Sequence, residues 1–217
     1  MTSSSTPRHN MVEGQLRPNH VRDAVVQARF AAVPREDFVA PETRPTAYAA
    51  APAPQGEGRE IFAPMVAARL VQALNLTPQD TVLVAAGGTG YTTAIIAGLA
   101  NNVTLLEENA TLRQTAATNL AEYPNVTITP GNPLTPPANT QPFTAILLDA
   151  PTTSIPQPLL NQLSPENGRL AAVRQNAAGL LEAVLITRSQ NTHFEEVLFE
   201  THGTIPPFLT QPAPFHF

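Results

Sequence analysis

The chain has 217 residues, of which 42% are hydrophobic, and this is enough apolar material for one buried core. It contains no cysteine, which excludes thiol nucleophiles, thiolate metal sites and disulfides, so a reducing, cytoplasmic location is expected. The net charge is -5, lysine is absent and the arginines form no basic stripe, which argues against binding to nucleic acid.

The N-terminal part combines a polar start with a short helix. Residues 1–10 are small and polar, so we predict that they are disordered, and they lack the apolar run of a signal peptide. From Val21 to Phe30 the pattern predicts an amphipathic helix whose apolar face includes Val25, and Pro34 ends this stretch. No later segment is apolar over the length that spans a membrane.

A stretch rich in proline, glycine and alanine follows, and it predicts a long loop over residues 41–60. Arg59 and Glu60 at its end are candidates for lining an acceptor pocket, although loop charges of this kind are more often only solvated. A helix is predicted to begin at Pro64, with a core-facing stripe formed by Val66, Leu70, Val71 and Leu74. We assign residues 11–78 to an N-terminal helical extension.

Residues 79–217 alternate strands with helices, which predicts an α/β core with a mostly parallel sheet of about seven strands and helices on both faces. Three further strands near the C-terminus lie close together in sequence, where an antiparallel edge is expected. The proline-rich tail from Ile205 is expected to pack back on the body. The predicted strands of the core are TVLVA, VTLLE, VTIT, FTAILLD, GRLAAVR, EAVLIT and EEVLFE.

The first strand of this core runs into a glycine-rich turn and then a helix, DTVLVAAGGTGYTTAIIAGLA. Ligands of open parallel sheets bind at the carboxyl ends of the strands, where glycine allows close approach of the backbone. Glu107 ends the next strand, seventeen residues after Gly90, at a spacing suited to an acid that accepts hydrogen bonds from a ribose. A dinucleotide motif needs a third small residue at the position of Thr93. The turn therefore favours a ligand with an adenosine over a dinucleotide with its pyrophosphate. A plain tight turn, with Glu107 or Glu108 capping the next helix, is the alternative.

Other chemistry has weaker support in the sequence. Asp149-Ala150-Pro151 ends a strand and is distantly similar to the Asn/Asp-Pro-Pro-aromatic motif of amino methyltransferases, but lacks its first proline and its aromatic ring. The five histidines are scattered, without the spacing of a helical metal site, so no metal is expected. No G-x-S-x-G segment is present for a serine hydrolase.

Several blocks occur together in a specific order: AVPREDFV, AYAAAPAPQGEGREIFAPMVAARLVQAL, VLVAAGGTGY, LLEEN, PGNPL, PFTAILLDAP and LLNQLSPENGRLAAV. In these blocks, from Met11 over nearly its whole length, the chain resembles the protein-L-isoaspartate O-methyltransferases. The resemblance implies a Rossmann-like methyltransferase fold. It also implies S-adenosylmethionine as cofactor and methylation of the side carboxylate of isoaspartyl residues in protein or peptide substrates.

The chain departs from the family pattern at positions that matter for that chemistry. Val84 replaces the acid at the end of the first core strand, and Ala86 replaces the first glycine of the turn. Phe62 replaces the family's active-site serine. Asn132 and Thr144 stand where the family has aspartates. These changes leave three hypotheses: a working enzyme, a methyltransferase with another acceptor, or a degenerate member that serves as a binding or scaffold module.

We expect the cofactor to contact the turn, the acid after the second core strand and the loop after the third. Catalytic side chains are not assigned, because methyl transfer from a sulfonium needs mainly alignment and exclusion of water. The expected cofactor-binding residues are Gly87, Gly88, Thr89, Gly90, Glu107, Glu108 and Asn132.

Overall fold

The computed structural model describes residues 5–136 and 142–210. Its first helix, α1, covers Ser5–Met11 and is followed by a π-helical segment. Residues 5–10, for which the sequence predicts disorder, therefore lie in a helix, and residues 1–4 lie outside the described part. Met11 and Leu16 anchor this region, because both side chains are buried in the main core.

Helix α2 covers Ala24–Ala32 and begins at an N-cap, where the Asp23 carboxylate accepts hydrogen bonds from the backbone N–H groups of Val25 and Val26. Val26 and Phe30, four residues apart on one face of this helix, are buried in the core. The expectation that Val25 belongs to the apolar face is wrong, since this side chain is 60% exposed.

The stretch predicted as one long loop contains regular structure. A 3₁₀ segment covers Pro41–Thr46, and strands β1 (Ala53–Gly56) and β2 (Arg59–Ile61) form an antiparallel hairpin separate from the main sheet. Helix α3 then covers Pro64–Ala73, with proline in its first turn as predicted. The predicted stripe of this helix, Val66, Leu70, Val71 and Leu74, is buried.

The seven-stranded sheet has the order β5-β4-β3-β6-β7-β8-β9. The pairs from β5 to β7 are parallel, and β8 and β9 add an antiparallel edge, as expected from the sequence. The sheet strands are β3 (Thr81–Ala85), β4 (Asn102–Glu107), β5 (Val126–Pro130), β6 (Ala145–Leu148), β7 (Glu166–Gln175), β8 (Leu181–Ser189) and β9 (Thr192–Thr201). The remaining helices are α4 (Tyr91–Ala97), α5 (Ala110–Asn119) and α6 (Gln157–Leu160).

Two apolar clusters cover the sheet, and the C-terminal segment packs on one of them. Leu209 is fully buried in the cluster that contains Leu148 and Leu170, and its carbonyl accepts a hydrogen bond from the Thr152 hydroxyl. The expected return of the tail is seen up to residue 210, and residues 211–217 lie outside the described part. No helix within the described ranges has the length and apolar character that crossing a bilayer requires.

Buried polar contacts join neighbouring strands at their amino ends. The Asp80 carboxylate accepts hydrogen bonds from the Thr144 hydroxyl at 2.6 Å and from the Arg169 guanidinium at 3.0 Å. Burial alone would raise the pKa of Asp80, but these donors and the backbone N–H of Thr77 lower it. Asp80 therefore has a structural role: it connects the amino ends of β3, β6 and β7 at the edge of the sheet opposite the glycine turn.

Candidate functional site

The turn between β3 and α4 has a backbone that depends on left-handed conformations. Gly88 and Gly90 have φ angles of 56° and 95°, which glycine adopts at no steric cost. Ala86 has a φ of 58°, so the chain keeps a left-handed residue here even though the glycine of the family pattern is missing. The turn therefore has the expected shape, and Ala86 is strained by it.

Glu107, at the carboxyl end of β4, lies directly beside this turn. Its side chain is fully buried, and its two oxygens accept hydrogen bonds from the backbone N–H groups of Gly88 at 2.8 Å and Asn109 at 2.9 Å. The neighbouring acid Glu108 is half-buried, and it accepts a hydrogen bond from the Asn132 carboxamide at 2.6 Å. The fold thus brings the predicted acids and Asn132 to the rim where the glycine turn lies.

The β1–β2 hairpin covers the turn from above. Arg59 is buried, which differs from the solvated loop charge that is usual in such a stretch. Its Nη1 lies 3.4 Å from both carboxylate oxygens of Glu107, and its Nη2 donates to the carbonyl of Ala86 at 2.8 Å. Gln55 on β1 accepts a hydrogen bond from the backbone N–H of Thr89 at 2.8 Å. Glu60, the other charge noted in the sequence, is half-buried and lines the cleft next to the hairpin.

Asp149 follows β6, and its backbone N–H donates to the carbonyl of Ala85 at the end of β3. The carboxyl group is buried and accepts a hydrogen bond from the Thr92 hydroxyl at 3.1 Å. Burial raises the pKa of Asp149 to about 7, although Thr92, Arg59 and Arg35 oppose this rise. The surroundings of Asp149 therefore favour its neutral carboxyl form.

Phe62 stands at the position of the family serine and is buried. It lines a cleft, together with Arg59, Ala150 and Thr204, whose cavity volume is about 20 Å³. That volume holds about one water molecule, whereas ligand pockets occupy about 300–1,000 Å³. The cleft next to Phe62 is thus nearly closed to solutes in this conformation.

Arg35 and Gln55 contribute to the site but were not among the predicted site residues. Arg35 is fully buried and donates to the carbonyls of Ala47 at 2.7 Å and Phe62 at 2.8 Å, with its guanidinium over the Tyr91 ring. It fixes the backbone that carries Phe62. The VPREDFV block contains this arginine, so the motif itself was the available indication.

Comparisons with known proteins agree with this architecture. Residues 7–201 match the model of the protein-L-isoaspartate(D-aspartate) O-methyltransferase family. A protein-L-isoaspartate O-methyltransferase of Koribacter versatilis is 34% identical over 208 residues, covering 95% of this chain and 92% of the relative. The corresponding protein of Protochlamydia amoebophila is 36% identical over 197 residues, covering 90% of this chain and 92% of the relative.

Two solved structures show the same fold at low sequence identity. One protein-L-isoaspartate O-methyltransferase superposes with a TM-score of 0.78 at 19% identity, covering 94% of this chain and 67% of the other. A Plasmodium falciparum structure described as a protein-L-isoaspartate O-methyltransferase in complex with S-adenosyl-L-homocysteine has a TM-score of 0.75 at 20% identity, covering 91% and 97%. The chain therefore has the Rossmann-like methyltransferase fold. It belongs to the protein-L-isoaspartate(D-aspartate) O-methyltransferase family.

Proposed function

We propose that this protein is an S-adenosylmethionine-dependent methyltransferase that esterifies the side carboxylate of isoaspartyl residues in proteins or peptides in the cytoplasm. The observation that carries the proposal is the contact between the turn and the strand-end acid. Glu107 lies at hydrogen-bond distance from the Gly88 backbone, so a ligand that follows the glycine turn meets a carboxylate at its ribose hydroxyls. Membership of the family supports the reaction and the substrate.

The residues present fit the nucleoside end of this cofactor. Glu107 is a buried acceptor at the carboxyl end of β4, and the backbone of the glycine turn approaches its carboxylate closely at Gly88. In this assignment Gly87, Gly88, Thr89 and Gly90 form the floor, while Glu108 and Asn132 form the neighbouring rim. When bound, S-adenosylmethionine supplies a methyl group on a cationic sulfur. This chain's own residues need only align the acceptor and exclude water, and Phe62 serves the second purpose.

The test is calorimetric titration of the purified protein with S-adenosylmethionine and S-adenosylhomocysteine, followed by transfer of labelled methyl groups to an isoaspartyl peptide. The matched control is the same peptide with a normal aspartate. We expect binding and transfer to the isoaspartyl peptide alone. A folded protein that binds neither compound at millimolar concentration would refute the proposal, and transfer to another acceptor would refute only the substrate.

The second candidate is a degenerate family member that binds a partner without catalysis. Two observations favour it: the cleft beside Phe62 is nearly closed, and Arg59 is paired with the acid assigned to the ribose. The same titration separates the candidates, because a protein of this kind has no need to retain affinity for the cofactor.

A further inference from the structure

Two side chains of the hairpin, Gln55 and Arg59, contact polar groups at the glycine turn that are expected to bind the cofactor. Gln55 accepts a hydrogen bond from the Thr89 backbone N–H at 2.8 Å, and its Oε1 lies 3.0 Å from the Thr89 hydroxyl, which has a shorter contact of 2.6 Å with the Phe38 carbonyl. A Cβ atom built on Gly88 would overlap with the carboxamide of Gln55. The space that Gly88 leaves free above the backbone is thus filled by another part of the same chain.

Arg59 contacts the carboxylate of Glu107, the acid expected to bind the ribose. A carboxylate offers about four acceptor positions, and the backbone N–H groups of Gly88 and Asn109 take two of those on Glu107. The guanidinium of Arg59 lies against both oxygens, is also bonded to the Ala86 carbonyl, and rests 4.6 Å from the centroid of the Phe208 ring. Its side chain is only 5% exposed, so a ribose cannot reach Glu107 while this contact persists.

We propose that Arg59, supported by Gln55, is an internal competitor for the nucleoside site, so that the cofactor binds only when the β1–β2 hairpin moves away from the glycine turn. This inference rests on the proposed function. The affinity that is measured is then the intrinsic affinity reduced by the fraction of molecules in which the hairpin is open. Arg59 is therefore the residue that sets cofactor affinity in this chain.

Within the described residues, the hairpin forms no strand pairing with the main sheet, although Ala53 and Ile61 pack in the main core. Its strands have four and three residues and pair only with each other, and a two-stranded hairpin is marginally stable by itself. Gly56 and Gly58, both at positive φ, form its tip. Opening breaks the contacts of Arg59 with Glu107 and Ala86 and the contact of Gln55 with Thr89. In exchange, the guanidinium regains hydration and the carboxylate gains the ribose hydroxyls.

Calorimetric titration with S-adenosylhomocysteine tests the competition through the variant Arg59→Gln. Loss of one charge-assisted contact that must be broken on binding is expected to tighten binding by about 10- to 100-fold. Arg22→Gln is the matched control, because Arg22 is exposed and its loss changes the net charge equally. Equal or weaker binding by Arg59→Gln than by the parent would overturn the proposal.

Hydrogen exchange on the parent protein gives a second measurement that needs no variant. Addition of S-adenosylhomocysteine is expected to speed the exchange of amides in residues 53–61 and to slow that of residues 87–90. Unchanged or slower exchange in residues 53–61 would contradict the displacement of the hairpin.

The outcomes also separate this inference from the proposed function. If the parent and Arg59→Gln both fail to bind at millimolar ligand, the proposed function and the competition are both wrong. If the parent binds and Arg59→Gln gains no affinity, the proposed function stands and only the competition is refuted. If Arg59→Gln binds and the parent does not bind at millimolar ligand, the competition is supported and the proposed function of the parent protein is refuted.

Discussion

The hydroxyl of Thr92 donates a hydrogen bond to Oδ1 of Asp149 at 3.1 Å, and both side chains are buried. Thr92 lies in the first turn of α4, whereas Asp149 follows β6, so this bond connects the glycine turn to the neighbouring strand end. One hydroxyl does not replace the water that an ionised carboxylate loses on burial. The environment of Asp149 therefore opposes its ionisation even though it contains two arginines.

Asp149 is expected to make the protein less stable as the pH rises. Its ordinary pKa of 3.8 applies to the unfolded chain, and burial raises the pKa to about 7 in the folded state. The contribution of Asp149 to the free energy of unfolding is thus fully present below pH 3.8 and is lost as the pH rises to about 7, by on the order of 4 kcal/mol. Asp149→Asn lacks this loss, so its free energy of unfolding in urea should exceed that of the parent by more at pH 8 than at pH 4.

The control for this measurement is Thr92→Val, which removes the one side-chain donor that favours the ionised carboxylate. Its destabilisation should be larger at pH 8 than at pH 4. A difference between Asp149→Asn and the parent that does not vary with pH would show that Asp149 is ionised throughout this range.

Asp80 should behave in the opposite way. Its pKa is lowered in the folded protein, so its contribution is present above pH 3.8 and is lost as the pH falls through the lower, folded value. Asp80→Asn leaves Arg169 without its acid, and we expect the free energy of unfolding at pH 7 to fall by about 2 kcal/mol. The exposed Asp37→Asn should change it by less than about 0.5 kcal/mol. An Asp80→Asn effect as small as this control would contradict a structural role.

Ala86 is predicted to be a residue whose replacement by glycine stabilises the protein. A left-handed φ destabilises a residue with a Cβ by about 1–2 kcal/mol in the folded state. Glycine avoids this strain, but its more flexible unfolded chain offsets about 0.5–1 kcal/mol of the gain. Ala86→Gly should therefore raise the free energy of unfolding by up to about 1 kcal/mol. Ala85→Gly, one residue earlier in regular strand β3, should lower it. Equal losses for the two variants would show that Ala86 is unstrained.

Gly90 should not tolerate alanine. Its φ is 95°, and an added Cβ would lie 2.7 Å from Cδ1 of Leu120. Backbone strain and overpacking together predict a loss of about 2–4 kcal/mol in denaturant unfolding. Gly14→Ala is the comparison, because a Cβ there meets nothing within 4 Å and alanine is favoured in a helix. Similar effects of the two substitutions would argue against the tight packing of the turn.

The main sheet could be predicted because its strands are short, apolar runs separated by helices with clear breaks. The strands from Thr81 to Ser189 lie within a few residues of their predicted bounds. The hairpin at residues 53–61 was not predicted, because Pro54, Gly56 and Gly58 interrupt the pattern of a strand and because its position depends on contacts with the glycine turn. The buried face of α2 was also predicted wrongly at Val25, since packing against the rest of the core decides which of its apolar side chains are buried.

The predicted cofactor residues lie at one edge of the structure, but their roles as ligands remain proposals. Their positions follow from parallel strands, whose carboxyl ends share one edge of a sheet. The ion pair between Glu107 and Arg59 could not be predicted in the same way. Arg59 is 48 residues away from it in sequence, and only the folding of the hairpin over the turn joins the two.

The sequence by itself determined the class of fold, the family and the chemical types at the site, because these depend on local periodicity and on residue identity. Tertiary structure alone decided which of these groups are paired, since pairing depends on burial and on contacts between distant segments. The same loss of water that raises the pKa of Asp149 holds Arg59 against Glu107. A buried charge needs a partner, and the fold determines whether that partner belongs to the chain or to a ligand.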